Sequence, residues 1–243
     1  MLIPRTLRRT GACLALTAWL ASPLAVANDF ELQSGAAASD VRQMSEDLAA
    51  ATSYKALGPA EAFGLIGTGV GAFAGYMATD DEDAWQRASG NRVGDITTAG
   101  LRARKGLPLG IDVSAFYADV LNTDGSLFGG ALQYAIWEGG VATPGIALRL
   151  GYSQLTGVDD FDYDTWSVDA TISKGFAMLT PYAGVGYVTG ELDPSDSSID
   201  AERVDNGRFF AGLRLSLGLI DITPEIEQNG DNFVTNLRLG ITL

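Results

Sequence analysis

The chain has 243 residues with 30 acidic side chains, 16 basic ones and no histidine, so its formal net charge is −14 at pH 7. Without histidine, neither a Ser-His nucleophilic site nor an imidazole metal site can form. The scarcity of Lys and Arg argues against nucleic acid as a partner. A carboxylate pair acting alone is the one catalytic arrangement left open, but the acids are dispersed, and we expect no enzyme.

The first 27 residues have the three parts of a secretory signal peptide. Three arginines precede an apolar run from residue 12 to residue 24, and residues 25 to 27 read Ala-Val-Ala, a small-x-small cleavage site. The only cysteine, Cys13, lies at the start of the apolar run of this leader, and most of the run follows it instead of preceding it, which argues against a lipoprotein anchor. Cleavage would leave a chain from residue 28 with no thiol and with 13 bases against 30 acids, a net charge of −17.

Residues 28–61 differ from the rest because they are rich in Ala, Ser and Asp. Apolar residues recur there at helical spacing, at Val41, Met44, Leu48 and Ala51. Ser39 or Asp40 can cap such a helix, and Gly58-Pro59 would stop it. We therefore predict an N-terminal periplasmic segment with one helix, which either packs beneath the following domain or enters it.

From residue 62 to the end the pattern changes to alternation, which indicates β-strands of about the length that a tilted membrane strand needs. The ten predicted strands are 63–77, 93–105, 110–120, 127–138, 145–155, 164–174, 179–190, 207–217, 219–228 and 232–243. Tight connections alternate with longer or more polar ones. With ten strands, every tight turn falls at the same end as both chain termini, which is the periplasmic end in outer-membrane barrels.

Side-chain parity separates an apolar face from a polar face in these strands. The outward set contains Ile111, Val113, Ala115, Tyr117, Phe128, Leu132, Tyr134, Ile136, Ile146, Leu148, Leu150, Tyr152, Trp166, Val168, Ala170, Ile172, Phe209, Ala211, Leu213, Leu215, Leu217, Phe233, Leu237, Leu239, Ile241 and Leu243. The opposite set contains Asp112, Ser114, Gln133, Arg149, Ser153, Asp169, Thr171, Arg214, Ser216, Glu225, Glu227, Asn236 and Arg238. A soluble periplasmic β-sandwich or barrel that binds an apolar ligand also alternates, with its apolar face inward, so alternation alone leaves these alternatives open.

Aromatic residues favour the membrane barrel. Eight of the ten strands place an outward aromatic near the predicted external loops, as in a ring at the membrane-water interface. The ring consists of Tyr76, Tyr117, Phe128, Tyr152, Trp166, Tyr187, Phe209 and Phe233. We therefore predict an all-β, closed, antiparallel, up-and-down transmembrane barrel of about ten strands over residues 62–243.

The stretch 62–79 has 18 residues without charge, a length that could also span a bilayer as a helix. Its five glycines would weaken that helix by about 1 kcal/mol each relative to Ala. As a strand it places Ile66, Val70 and Tyr76 outward and most of its glycines inward. The strand is the favoured prediction, and inward glycines would leave room in a narrow lumen for long side chains opposite them.

The polar face predicts a charged lumen. Inward arginines stand against inward acids, and a barrel of about ten strands lies near the size that its own side chains fill. Buried charges must then pair with one another. The alternative is a thin conduit for small solutes. The residues that decide between these two are Arg149, Asp169, Arg214, Glu225 and Arg238.

The external loops concentrate acids at 80–83, 159–164 and 191–205. Asp160, Asp162 and Asp164 alternate as in a calcium loop but lack the Gly and the terminal Glu of that motif. Loose divalent bridging to anionic lipid is an equally weak hypothesis. We expect no cofactor and no specific metal site.

The stretch Thr180-Pro181-Tyr182-Ala183-Gly184-Val185-Gly186-Tyr187 and the last strand, 236–243, resemble small bacterial outer-membrane barrels of the opacity-protein and OmpA-like type. Such proteins end in Phe or Trp, a signal read by the barrel-assembly machinery, whereas this chain ends in Leu243. The expected protein is a monomeric, non-catalytic barrel among outer-membrane lipids, acting as a structural or surface component or as a narrow passive pore.

Overall fold

A computed structural model describes residues 32–139, 143–196 and 199–243 of the chain. The predicted signal peptide and its cleavage site lie outside these ranges. The helices are α1 (Ala38–Thr52) and α2 (Glu82–Ser89), and a short 3-10 turn covers Pro108–Gly110. The strands are β1 (Thr68–Ala78), β2 (Asp95–Gly106), β3 (Ile111–Val120), β4 (Ser126–Trp137), β5 (Gly145–Thr156), β6 (Phe161–Ser173), β7 (Leu179–Pro194), β8 (Glu202–Leu217), β9 (Ile220–Asn229) and β10 (Asn232–Thr242).

The ten strands close into one antiparallel barrel in which sequence neighbours pair and β1 also pairs with β10. At the closure, Ala72 of β1 lies opposite both Leu101 of β2 and Leu239 of β10. The predicted barrel of ten antiparallel strands is confirmed, and the β-sandwich alternative is wrong. No helix in the described ranges is both long and apolar enough to cross a membrane.

Four strand boundaries differ clearly from the prediction, and one of them is the start of β6, which begins three residues early at the buried Phe161. β1 begins five residues late, at Thr68, because the chain turns at residues 64–66 before it joins the sheet. The helical alternative for 62–79 is therefore wrong, and Ile66 lies in that turn. β7 and β8 extend beyond their predicted ends because their inward residues Leu192 and Val204 are buried in the same apolar cluster as α1.

Helix α2 was not predicted, since residues 78–92 have the composition of an acidic loop. Asp81 caps its first turn by accepting hydrogen bonds from Asp83 N and Ala84 N, and Gly90 ends it in the left-handed conformation at φ 77°. Trp85 in the middle of the helix is fully buried. Burial of Trp85 stabilises α2, which is too short to form a stable helix alone.

The predicted faces of the barrel are the observed ones. None of the outward residues named above is buried, whereas Asp112, Arg149, Asp169, Glu225 and Arg238 are buried in the interior. The β2–β3, β4–β5, β6–β7 and β8–β9 connections lie at one end, which we call the tight-turn end, with the start of β1 and the end of β10. The other connections, which include α2 and also the two-residue turn between β9 and β10, lie at the opposite end, which we call the long-loop end.

Candidate functional site

The lumen is occupied by the chain's own N-terminal segment. Helix α1 lies at the long-loop end, where Leu32 N donates to Asp160 Oδ2 at 2.9 Å and Arg42 pairs with Glu202 at 3.0 Å. From Thr52 the chain runs through the barrel to the tight-turn end, where Glu61 binds Arg214 at 2.6 Å. We call residues 38–63 the plug.

The course of the plug decides between the two placements that the sequence allowed for the N-terminal segment. The sequence left open whether the segment packs beneath the barrel or enters it, and the plug enters it. Its helix lies at the end that bears the long loops, opposite to the end expected for a periplasmic segment. The described N terminus and the barrel's C terminus are consequently at opposite ends.

The wall of the barrel provides hydrogen-bond partners for the extended part of the plug. Ser153 Oγ donates to Thr52 O at 2.7 Å, and Gln133 Nε2 donates to Ala60 O at 3.2 Å. Ala60 N donates in turn to Ser173 Oγ at 3.1 Å. Backbone groups that a helix or sheet would otherwise satisfy are therefore satisfied by lumen side chains.

An arginine absent from the sequence-based site lies at the centre of the lumen. Arg208 is fully buried, binds both carboxylate oxygens of Asp169, and donates to Tyr54 O of the plug at 2.8 Å. Arg149 donates to Gln133 Oε1 at 2.6 Å and has its Nη1 3.8 Å from Asp169 Oδ2. The latter contact is an ion pair without hydrogen-bond geometry.

A second set of contacts joins the plug to β9. Lys55 Nζ lies 3.1 Å from Glu227 Oε1 and also donates to Ala50 O. Glu225 Oε2 accepts from Leu57 N at 2.8 Å and from the Tyr182 hydroxyl at 2.8 Å. Both acids are thus partnered by the N-terminal segment, as buried carboxylates require.

Near the tight-turn end the plug leaves the lumen through a ring of charges. Arg104 binds Asp112, whose carboxylate also accepts from Phe63 N at 3.1 Å. Arg104 lies over the Phe63 ring, 4.4 Å from its centroid. Arg238 binds Asp221 of β9.

All five predicted lumen residues face the interior, but they do not form one cluster. Arg149 and Asp169 lie together, whereas Glu225, Arg214 and Arg238 each have a separate partner. The sequence-based set omitted Arg208, Lys55 and Glu61. Arg208 has the same inward parity as Arg214 and could have been found on that basis, while the two plug residues lie in a segment without strand periodicity.

One small cavity lies beside the plug. A cavity of about 20 Å³ lies between the plug and the wall, lined by residues that include Tyr54, Phe73, Arg102 and Phe116. This volume can hold about one water molecule. Beside the plug, most of the inward wall residues that the structure describes are polar and buried.

The mouth at the long-loop end has an apolar core around α1. Asp47 of α1 accepts hydrogen bonds from Trp85 Nε1 of α2 at 2.7 Å and from Asn232 Nδ2 of β10 at 3.0 Å. Burial raises the pKa of Asp47 to about 6. Asp40 instead forms a bidentate pair with Arg87, whose hydrogen bonds lower the pKa of Asp40. We call α1, α2 and the surrounding loops the cap.

The outer surface has its aromatic residues in nearly one row. Tyr117 lies opposite Phe128, and Tyr152 lies opposite Trp166 with the ring centroids 4.8 Å apart. Phe209 and Phe233 both lie opposite Gln228. All eight predicted ring residues, including Tyr76 and Tyr187, point outward.

The polarity of both faces reverses at this aromatic row. On β6, toward the tight turns, the outward residues run Trp166, Val168, Ala170 and Ile172, while the inward residues Ser167, Asp169 and Thr171 are polar. Toward the loops, outward Asp162 is exposed, and inward Phe161 and Tyr163 are buried. The same change occurs on β7, where Leu192 is inward and Glu191 and Asp193 are outward.

The acidic loops do not assemble a metal site. Asp160 and Asp164 are engaged by Leu32 N and the Tyr152 hydroxyl, respectively. Within the described residues, no group of three or more Asp, Glu, His or Cys side chains could hold an ion.

The sequence matches no protein-family model and no curated protein. Among solved structures, the attachment invasion locus protein Ail of Yersinia pestis is 15% identical, over 73% of this chain and 97% of Ail, with a TM-score of 0.34. The outer membrane protein OprG of Pseudomonas aeruginosa is 11% identical, over 76% of this chain and 99% of OprG, with a TM-score of 0.38. Neisserial surface protein A is 9% identical, over 73% of this chain and 96% of that protein, with a TM-score of 0.31. With TM-scores below 0.5, these similarities carry no argument about this chain.

Proposed function

We propose that this chain is a non-catalytic outer-membrane barrel protein whose lumen is permanently closed by its own N-terminal segment and whose folded, acidic cap faces the exterior. The observation that carries this proposal is the plug itself, which fills the lumen and partners its buried charges. Its expected surroundings are outer-membrane lipids, it reaches them through the barrel-assembly machinery, and it acts as a monomer.

The membrane part of the proposal is supported by the side chains below the aromatic row. Leu148, Leu213 and Leu239 are exposed on the outer face, while Arg149 is buried in the interior. A water-soluble barrel would be destabilised by exposing such a continuous apolar surface. In a bilayer the same surface contacts acyl chains, and barrel closure leaves no strand edge unpaired.

The closed state is favoured over a narrow pore by what anchors the plug at each end. Met44 and Leu48 of α1 are completely buried in the mouth, and burying one such side chain stabilises by about 2 kcal/mol. The other end is held by Glu61 and Arg214. Withdrawing the plug would expose this core and would remove Lys55 from Glu227 and Leu57 N from Glu225, so the proposal treats the plug as a fixed part of the barrel.

Planar-bilayer recording of the chain from residue 28 tests this proposal. We expect no discrete conductance steps, and incorporation is verified by heat-modifiable gel migration of protein recovered from the membrane. Stable conductance that changes in Arg149→Ala would contradict the closed barrel and favour a narrow passive pore.

A further inference from the structure

The tight-turn end carries large apolar side chains at the tips of its turns. We call Leu65, Ile66, Leu109, Phe176, Met178 and Leu219 the turn rim. Ile66 is 90% exposed and Leu109 is 86% exposed, and the other four exceed half exposure. At the opposite end the loops present acids, so exposure at a chain reversal does not by itself explain apolar tips.

The conformation of Leu109 adds to this contrast. Its φ is 66°, in the left-handed region that favours Gly or Asn. A leucine at this position is disfavoured both by the backbone conformation and by contact with water. An apolar partner in contact with the Leu109 side chain would remove its unfavourable contact with water.

The height of the apolar outer surface indicates what that contact is. From Trp166 to Ile172, β6 rises by about 15 Å along the barrel axis, at roughly 3.3 Å per residue and a tilt near 40°. The apolar band of an outer-membrane barrel is about 25 Å tall. The apolar part of β6 is shorter than this band. Phe176 and Met178 extend its apolar face toward the tight-turn end.

Backbone groups in two of the rim turns form hydrogen bonds within the protein. Ser216 N donates to Met178 O at 2.8 Å, and Thr242 N donates to Leu219 O at 2.9 Å. Each bond ties a turn tip to the neighbouring strand. Backbone groups that enter lipid must be satisfied internally in this way.

Two lysines complete the chemistry of this end. Lys105 Nζ donates to Ile66 O at 3.1 Å and to Thr68 Oγ1 at 3.1 Å, and Lys174 Nζ donates to Thr143 O at 3.3 Å. They are the only lysines outside the plug. Long cationic side chains at the edge of an apolar surface fit phosphate headgroups.

We propose that the turn rim is a lipid-binding surface, with its tips in the acyl-headgroup boundary of the periplasmic leaflet and phospholipid phosphates beside Lys105 and Lys174. The inference rests on the proposed membrane barrel and extends its lipid contact around the turns. The partner is a phospholipid leaflet because the rim continues the outer apolar face and is bordered by cations.

Single-cysteine labelling tests this inference, since the chain from residue 28 has no cysteine. Leu109→Cys, Phe176→Cys and Leu219→Cys would carry an environment-sensitive fluorophore in phosphatidylethanolamine-phosphatidylglycerol vesicles. Leu148→Cys marks the barrel wall, and Asp124→Cys marks an aqueous loop. Each labelled protein must first show the compact, heat-modifiable band of a folded barrel.

The rim labels should be quenched by brominated lipid and should show several-fold weaker quenching by iodide than Asp124→Cys. Rim labels that behave like Asp124→Cys, while Leu148→Cys is shielded, would overturn the lipid-binding rim and leave the membrane barrel intact. Exposure of Leu148→Cys to iodide as well would refute the membrane barrel itself.

Discussion

Arg208 and Asp169 form an ion pair across β7 at the point where that strand has no side chain. Asp169 of β6 lies opposite Gly186, and Gly186 lies opposite Arg208 of β8. The two charged groups meet above the glycine, and Arg208 also holds the plug through Tyr54 O. One row across three strands thus joins the wall to the plug.

Gly186→Ala should disrupt this row. The added Cβ would lie 2.1 Å from Asp169 Oδ1 and 2.7 Å from Val168 O, so the carboxylate must move away from Arg208. Breaking a buried ion pair costs about 3 to 5 kcal/mol, which should appear as a lower urea midpoint in detergent. Gly207→Ala is the matched control, because nothing lies within 4 Å of its added Cβ. Equal midpoints for the two variants would contradict this role of Gly186.

The pair Lys55–Glu227 should contribute to holding the plug in place. Lys55→Met leaves Glu227 with Asn229 Nδ2 at 3.1 Å and with Arg208 Nη1, 3.8 Å away, as its nearest cation, and should lower the free energy of unfolding by about 3 kcal/mol. The double variant Lys55→Met, Glu227→Gln should cost less than the two single changes together, with a coupling of roughly 1 to 3 kcal/mol. Arg203→Met removes an exposed charge as a control and should change nothing measurable. Additive effects of Lys55→Met and Glu227→Gln would show that the pair is not coupled.

Asp47 should make the cap less stable as the pH rises. Its pKa is about 6 in the folded chain and 3.8 in the reference state, so the folded chain binds the proton more tightly. The free energy of unfolding should therefore fall by roughly 2 kcal/mol between pH 4 and pH 7 from this group. Asp47→Asn should flatten that slope, measured by urea unfolding at several pH values.

Asp40 provides the control of opposite sign. Its pKa is lowered by Arg87, so it contributes stability above pH 3.8 that is lost as the pH falls through the folded-state pKa. Asp40→Asn should therefore be less stable than the parent at neutral pH and similar to it in acid. An unchanged pH slope in Asp47→Asn would contradict the assignment.

The position of the N terminus predicts which ends are accessible on cells. Gly35 is exposed at the cap with φ 85°, and a Cβ atom added to it would meet no other atom within 4 Å. Gly218 lies in the turn between β8 and β9 at the opposite end. An epitope inserted at Gly35 should bind antibody on intact cells, and one inserted at Gly218 should bind only after the outer membrane is permeabilised. The reverse pattern would contradict the proposed orientation.

The strands were predictable because alternation is a local signal that the apolar outer face imposes on each segment. The prediction missed the strand ends at residues 161–163, 191–194 and 202–206. In these segments charged residues point outward, and most of the inward residues are apolar because they pack near α1. The strands continue there because a distant helix covers their inner face. No local pattern reports that contact.

The plug and α2 were missed or misplaced for a related reason. Residues 53–61 are held by individual hydrogen bonds to several different strands, which leave no periodicity in the segment itself. Helix α2 depends on burying Trp85 against α1, and the acids around it resemble a loop. The lumen residues on strands could be identified from parity, but their partners on the plug could not.

Cysteine reactivity along β6 tests the central claim, a lipid-facing barrel with a filled lumen, most directly. In vesicles, Asp162→Cys should react with a charged thiol reagent, whereas Val168→Cys and Ala170→Cys should react only with a lipid-soluble maleimide. Ser167→Cys and Thr171→Cys, at buried inward positions, should react with neither until the protein is unfolded. Fast reaction of Ser167→Cys and Thr171→Cys with the charged reagent would show a water-filled lumen, and the same reaction at Val168→Cys would show that the outer face is not in lipid.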